Sequence, residues 1–216
     1  ENTVRPTHVM CSRKRVTELI MHSQAGNGTH FMAVRFGNVV GSSGSVIPLF
    51  RRQIEKGGPV TVTHPEINRF FMTIPEAAQM ILQAGTMGKT NEIFILKMGT
   101  PVKIADMARD LIRLSGKEPD VDIKIVYTGL REGEKLYEEL ISEGEDILPT
   151  EHKKVMVLRS NGYFNGATSR EEGKKNLYAG IEELRKLAED HDAAGIKNKL
   201  HKIVPEYIPQ ENDSVL

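Results

Sequence analysis

Few side chains in this sequence stand at spacings that support chemistry by themselves. Gly41-Ser42-Ser43-Gly44-Ser45 comes nearest to a phosphate-holding loop, because glycine lets backbone N–H groups approach a pyrophosphate at a helix N-terminus. It has the glycine spacing of neither common phosphate loop, and no lysine follows it, so a generic strand-end turn stands beside that reading. Ser42, Ser43 and Ser45 lack a Gly-x-Ser-x-Gly elbow and have no assignable acid and histidine, which argues against a hydrolase triad. His64, His152, His191 and His201 are scattered, and the single Cys11 has no Cys or His at ligand spacing. No metal site and no internal disulfide are therefore expected.

These loops must be positioned by alternating helices and strands. The spacing after Pro6 predicts a helix carrying Val9, Val16, Leu19 and Ile20, stopped at Gly26-Asn27-Gly28. His30–Val40 reads as a buried strand. A short helix from Pro48 to Lys56 and an extended Val60–Val62 follow, then a helix with Pro75 in its first turn. Ile93–Leu96 is expected as a strand. Thr100 caps and Pro101 opens a helix running through Val102 to Ile112. Val121–Tyr127 and Val155–Leu158 read as strands, with a helix from about Glu134 through Ile141 between them. Residues 169–200 are helix-favouring and mixed in charge, giving one or two peripheral, solvated helices. Strands separated by helices imply α/β architecture with largely parallel pairing, although the strands are too few for a complete doubly wound sheet.

The bulk numbers exclude several classes. The 29 basic and 29 acidic residues among 216 cancel, so nothing pulls the chain generally toward nucleic acid. With 39% hydrophobic and 27% charged residues, it suits a soluble globular chain with a substantial core. The longest apolar runs, such as Ile93–Leu96, fall far short of the roughly 20 residues needed to span a bilayer. The opening Glu-Asn-Thr-Val-Arg-Pro is not a signal peptide and reads as chain interior.

Four separated segments in order carry more information than any one of them. Arg35-Phe36-Gly37-Asn38-Val39-Val40-Gly41 precedes Ser45-Val46-Ile47-Pro48-Leu49-Phe50, then Asn68-Arg69-Phe70-Phe71-Met72, then Arg131-Glu132-Gly133-Glu134-Lys135-Leu136. The series resembles the C-terminal part of an extended short-chain dehydrogenase/reductase, and more closely the nucleotide-sugar 4,6-dehydratases of the polysaccharide (capsule) biosynthesis family, which act on UDP-N-acetylglucosamine. The resemblance runs from about Pro6 to Arg159 and returns at Val204-Pro205-Glu206-Tyr207. It implies a Rossmann-like fold whose N-terminal dinucleotide-binding half is absent. Residues 1–160 would supply its last strands and helices with the nucleotide-sugar-binding region, and 161–216 a peripheral helical extension.

The resemblance also implies roles. The family's Tyr-x-x-x-Lys falls at Met10-Cys11-Ser12-Arg13-Lys14, one turn apart on a helix face. A thioether cannot handle the proton that a phenol would, so Met10 is no acid or base. The branch with larger, membrane-anchored members commonly carries Met there, with an upstream acid taking over. Lys14 would hold the nicotinamide ribose. Arg69 and Arg131 would clamp the diphosphate, since a guanidinium matches phosphate oxygens bidentately. Asn38 would contact phosphate, Glu134 would accept from ribose hydroxyls, and Val46, Ile47 and Pro48 would lie near the uracil. The bland alternatives are surface ion pairs for the arginines and a helix-start carboxylate for Glu134.

The implied reaction moves hydride out at C4 of the sugar and back at C6, with loss of water between. The cofactor would be NADP or NAD in a full-length parent, and none is expected on this chain alone, which should be inactive in isolation. Two alternatives stand beside this. A 4-epimerase of the same superfamily would retain the tyrosine, and a non-catalytic UDP-sugar-binding or assembly module would not need it. A UDP-sugar is the expected partner, with no nucleic acid or metal. An exposed strand edge favours a homo-oligomer. The expected location is the cytoplasm, with an inner-membrane anchor left open for a preceding N-terminal region.

Overall fold

In the computed structural model the described residues are 4–24, 28–42, 44–89, 91–131, 133–141, 145–158 and 169–208. The chain forms two compact units, each discontinuous in sequence: residues 1–35, 84–95 and 139–216 make one, and 36–83 with 96–138 the other.

The first unit is built on a mixed four-stranded sheet. Its strands are β1 (Met32–Arg35), β6 (Glu92–Leu96), β9 (Ile147–Pro149) and β10 (Val155–Leu158), in the order β1-β6-β10-β9. β1 runs parallel to β6, with Ala33 opposite Ile93, and β10 runs antiparallel to β9. Ile93, Phe94 and Ile95 are all buried, as a central strand covered on both faces requires. Ile93, Ile95 and Leu158 form one core with Ala33, Leu140, Ile141 and Ile147 packed around it.

Helix α1 (Val9–Ser23) starts where the His8 ring accepts from the Cys11 N–H, and it buries Val16 and Leu19. The partners of that face come from the far end of the chain. Helix α5 (Arg170–Glu189) is capped by Ser169, which accepts from Glu172 N at 3.2 Å, and α6 (Ala193–Ile203) by Asp192, which accepts from Gly195 N at 2.8 Å. Leu177, Leu200, Val204 and Tyr207 close a second core over Val16 and Leu19. A Cβ at Gly180 would sit 3.0 Å from Ile203 Cδ1, so the absence of a side chain there lets α5 and α6 approach. The one or two helices expected over 169–200 are present as α5 and α6 with their charged faces largely exposed, and their sparse leucines suffice for a core because the two helices share them with a third.

Beneath these cores lies a chain of buried charge. The Arg35 Nε and Nη2 donate to the two Glu18 oxygens at 2.7 Å each. Its Nη1 and Nη2 donate to Glu145 at 2.8 and 3.1 Å, and Nη1 also to the Leu140 carbonyl at 3.2 Å. All five guanidinium N–H groups are used. Arg15 Nη1 donates to Glu18 at 2.7 Å, and its Nη2 to Glu206 at 3.1 Å. Burial alone would raise the Glu18 carboxyl, but Arg35 and then Arg15 hold it below its usual range. Burial opposes the charge of Arg35 too, and Glu18 and Glu145 more than offset it.

The second unit packs α2 (Val46–Glu55) and α4 (Ile104–Leu114) against the parallel pair β3 (Val60–Val62) and β8 (Ile125–Tyr127). Ile104, Ala105, Ala108 and Ile112 give α4 one buried stripe, which meets Phe50, Ile54, Val60 and Val62. Two more strand pairs complete it: β2 (Asn38–Val39) parallel to β5 (Phe71–Met72), and β4 (Asn68–Arg69) antiparallel to β7 (Val102–Lys103). Helix α3 spans Ile74–Met87, with Pro75 in its first turn.

Other differences from the sequence reading have local causes. The strand expected over 30–40 is two strands paired to different partners, β1 with β6 and β2 with β5. Val102 is not helical, because it pairs with Arg69, and α4 begins after Lys103. The Val121–Tyr127 strand is shortened to β8, and two of the five strand pairs with a register are antiparallel. No described helix covers 134–141.

Two stability consequences follow from the charge cluster. Replacing Arg35 with Met leaves Glu18 and Glu145 buried without their main counter-ion, and urea unfolding should show a loss of about 3–5 kcal/mol. His22, on α1 and 5% exposed, has its pKa pushed down to about 4, by burial first and with Glu18 opposing. Between pH 6.5 and 4 the unfolded chain then binds more protons than the folded one, so stability falls as pH drops through that window. The expected loss on going from pH 7 to pH 5 is about 2 kcal/mol. In His22→Gln the urea midpoint should be nearly flat over the same range.

Candidate functional site

In the second unit, the residues expected to bind a nucleotide sugar lie on short strands and loops, apart from Val46, Ile47 and Pro48 on helix α2. Asn38 opens β2 and is held by its backbone, its N–H donating to the Phe70 carbonyl at 2.7 Å. Just before it, a Cβ on Gly37 would meet Phe70 Cβ and O at 2.7 Å. Only glycine allows this approach, which fixes where the Asn38 amide and the neighbouring Arg69 strand stand.

Arg69 enters on β4, and its side chain is 18% exposed. Its Nη1 donates to the carbonyls of Asn68 at 2.7 Å and Leu136 at 3.3 Å, and its Nη2 to the carbonyl of Lys135 at 2.7 Å. The Glu134 carboxylate lies 3.9 Å away. Three of five donors are thus spent on backbone, and the Nε–H and one Nη2 hydrogen have no acceptor among the described residues. Burial lowers the Arg69 pKa, with Glu138 and then Glu134 opposing, and the group is still a cation near neutrality.

The loop that Arg69 holds carries the other two predicted residues. Glu134 Oε2 accepts from the Arg131 backbone N–H at 3.0 Å, and the Glu134 N–H donates back to the Arg131 carbonyl at 3.0 Å. Glu134 Oε1 accepts from Thr63 Oγ1 at 3.1 Å. Between them Gly133 has φ +68°, the left-handed turn that favours glycine. The structure therefore brings the Arg69 guanidinium and the Arg131 backbone to one carboxylate. The Arg131 side chain itself is exposed and has no ion-pair partner among the described residues. Glu134 is no helix-start carboxylate, because it closes the turn from Arg131 and no helix follows it over residues 135–141.

Val46, Ile47 and Pro48 form the first turn of α2. Their N-cap, Ser45, makes no side-chain cap bond, and its buried Oγ has no hydrogen-bond partner among the described residues. Sequence reasoning missed Thr63 and Glu138, which accepts from Phe70 N at 3.2 Å. A threonine and a glutamate of ordinary spacing gave no signal, since each acts only through a distant segment.

Met10 and Lys14 belong to the first unit, one turn apart on α1. Met10 is exposed and Lys14 half-buried. Among the described residues no cluster of three or more His, Cys, Asp or Glu could hold a metal ion, and no helix is long and apolar enough to cross a membrane.

Capsular polysaccharide biosynthesis protein CapD of Staphylococcus aureus is 56% identical over 147 residues, which are 67% of this chain and 24% of that protein. A UDP-glucose 4-epimerase of Rickettsia canadensis is 36% identical over 155 residues, 70% of this chain and 44% of the epimerase. This chain thus spans less than half the length of either relative. Among solved structures, Pen from Bacillus thuringiensis is 31% identical with a TM-score of 0.65, over 82% of this chain and 59% of that one. The likeness to solved structures places the α/β architecture among the Rossmann-like short-chain dehydrogenases/reductases. Residues 1–160 match the family described as polysaccharide biosynthesis protein, and the chain belongs to that family.

Proposed function

We propose that the chain is the substrate-binding, C-terminal part of a nucleotide-sugar 4,6-dehydratase that acts on UDP-N-acetylglucosamine with NADP or NAD. The observation that carries this reading is the Arg69–Glu134–Arg131 arrangement. A half-buried cation keeps two N–H donors without an acceptor among the described residues, beside a loop that carries an exposed second guanidinium. Such a pair suits the oxygens of a diphosphate. Glu134, with lone pairs to spare beyond Thr63 and the Arg131 N–H, suits ribose hydroxyls. The Ser45 hydroxyl and the first turn of α2 offer polar groups for the base.

A nicotinamide dinucleotide would supply hydride acceptance and return at the sugar. The donor chemistry of this chain fits one end of it: the half-buried Lys14 ammonium on α1 suits ribose hydroxyls. The described residues contain no glycine-rich cradle for its pyrophosphate. The chain's own work is then to grip the diphosphate through Arg69 and Arg131, to fix the ribose through Glu134, and to keep Lys14 at a set position. Met10 can take no proton from the C4 hydroxyl, so the acid and base must come from elsewhere in the full-length protein.

The named epimerase relative supports a second reading, in which hydride returns to C4. The thioether of Met10 weighs against it, because that reaction leans on a phenol at this position.

Incubating the full-length protein with UDP-N-acetylglucosamine and NADP should yield a 4-keto-6-deoxy product. A C4-epimerised sugar in its place would overturn the dehydratase reading. In calorimetry, Arg131→Ala should weaken UDP binding about 10–100-fold, the scale of lost charge-assisted hydrogen bonds. Arg69→Ala should weaken it at least as much, with unfolding checked in parallel because Arg69 also holds the loop. Unchanged UDP affinity in Arg131→Ala would remove the clamp.

A further inference from the structure

We propose that Glu206 is a positioning residue for Lys14, acting through Arg15 and Glu18 on helix α1; the inference rests on the reading of Lys14 given above. Lys14 sits directly before Arg15 and one turn before Glu18, so the ionic contacts of those two residues, which for Arg15 include Glu145 at 3.8 Å, lie in the turn that holds Lys14. On one side Glu18 is locked to Arg35 at 2.7 Å by two parallel bonds. On the other, Arg15 bridges Glu18 at 2.7 Å and Glu206 at 3.1 Å. Removing Glu206 loosens the Arg15 end of the turn that carries Lys14, while Arg35 still holds Glu18.

Glu206 is itself rigidly presented. Val204 and Tyr207, which flank its segment, are fully buried against Val16 and Leu19 of the same helix. The Tyr207 N–H donates to the Val204 carbonyl at 2.9 Å, and the Tyr207 carbonyl lies 2.6 Å from His201 Nδ1. The segment therefore has two points of purchase on α1, an apolar one at Val16 and Leu19 and an ionic one at Arg15. It lies beyond residue 160, where the family match ends.

The Glu206 side chain is 35% exposed, against 10% for Arg15 and 7% for Glu18. A partly exposed ion pair contributes little to stability, about 0–1 kcal/mol. A small misplacement of a group that must meet a cofactor costs far more in rate. That contrast separates positioning from mere scaffolding.

The test uses the full-length protein and Glu206→Gln. Turnover of UDP-N-acetylglucosamine should fall about tenfold or more in kcat, the scale of a sub-ångström to ångström displacement. KM for the nucleotide sugar should stay within about twofold, as expected when only transition-state interactions are lost. Labelling of Lys14 by an amine-reactive probe, read by mass spectrometry against Lys124 as internal reference, should change severalfold. If kcat and the Lys14:Lys124 ratio both match wild type, the proposal is wrong. It is equally wrong if kcat falls with the ratio unchanged, or if KM rises in step with the loss of kcat, since those results mean general loosening. If the wild-type protein makes no product, the dehydratase reading fails, and the labelling ratio alone decides: a change keeps Glu206 as the residue that sets Lys14, and no change removes it.

Discussion

One guanidinium organises the first unit. Arg35 ends β1, the strand at one end of the described sheet, yet it is 5% exposed, and burial of an unpaired cation there would cost several kcal/mol. It is tolerated because each of its five N–H groups meets an acceptor: two oxygens of Glu18, two of Glu145 and the carbonyl of Leu140. Satisfying that fork imposes conditions on three segments at once. α1 must present Glu18 to the end of β1, the stretch after residue 139 must return with Leu140 and Glu145, and Arg15 must share Glu18 without displacing Arg35. Apolar packing of Val16 and Leu19 could tolerate sliding, but a bidentate pair with 2.7 Å bonds could not. Hydrophobic burial holds the unit together, and the ion cluster fixes its register.

A second guanidinium does a different job in the other unit. Arg69 is surrounded by carbonyl oxygens more than by carboxylates, so it acts as a template for backbone. Residues 134–138 carry no regular structure because their carbonyls are already engaged: Lys135 O by Arg69, and Leu136 O by Arg69 and the Asn68 N–H at 3.3 Å. Those groups are then lost to a helical i→i+4 ladder. Leu140 and Ile141 are drawn instead into the core around Ile93 and Ile95. The leucines and glutamates of this stretch have good helix propensity, and tertiary bonds override it.

The same two devices explain how a site can rest on short strands. β2, β4, β5 and β7 are two residues long each, too short to be stable in isolation. Gly37 lets the β2 approach press against Phe70, and Glu134 ties Thr63 to the Arg131 turn. Precision therefore comes from close backbone approach and shared carboxylate oxygens. The sequence showed the glycines and charges that make this feasible, but not which charge would meet which carbonyl.

Residue order alone was enough for the features governed by local physics. The helix after Pro6, the buried Ile93–Leu96 strand, the Val155–Leu158 strand and the helical character of 169–200 all follow from periodicity, composition and runs of β-branched residues, whose causes lie within a few positions. The segment words around Asn38, Val46, Arg69 and Arg131 likewise pointed to one family before any coordinates. What the linear chain could not decide was every choice between competing partners far apart in sequence. Only the folded chain splits 30–40 into two strands, unwinds 134–141, begins α4 at Ile104, and brings Glu18, Glu145 and Glu206 to two arginines. The reason is that a buried charge or carbonyl must find its partner somewhere, and the identity of that partner is a property of three-dimensional packing rather than of neighbours along the chain.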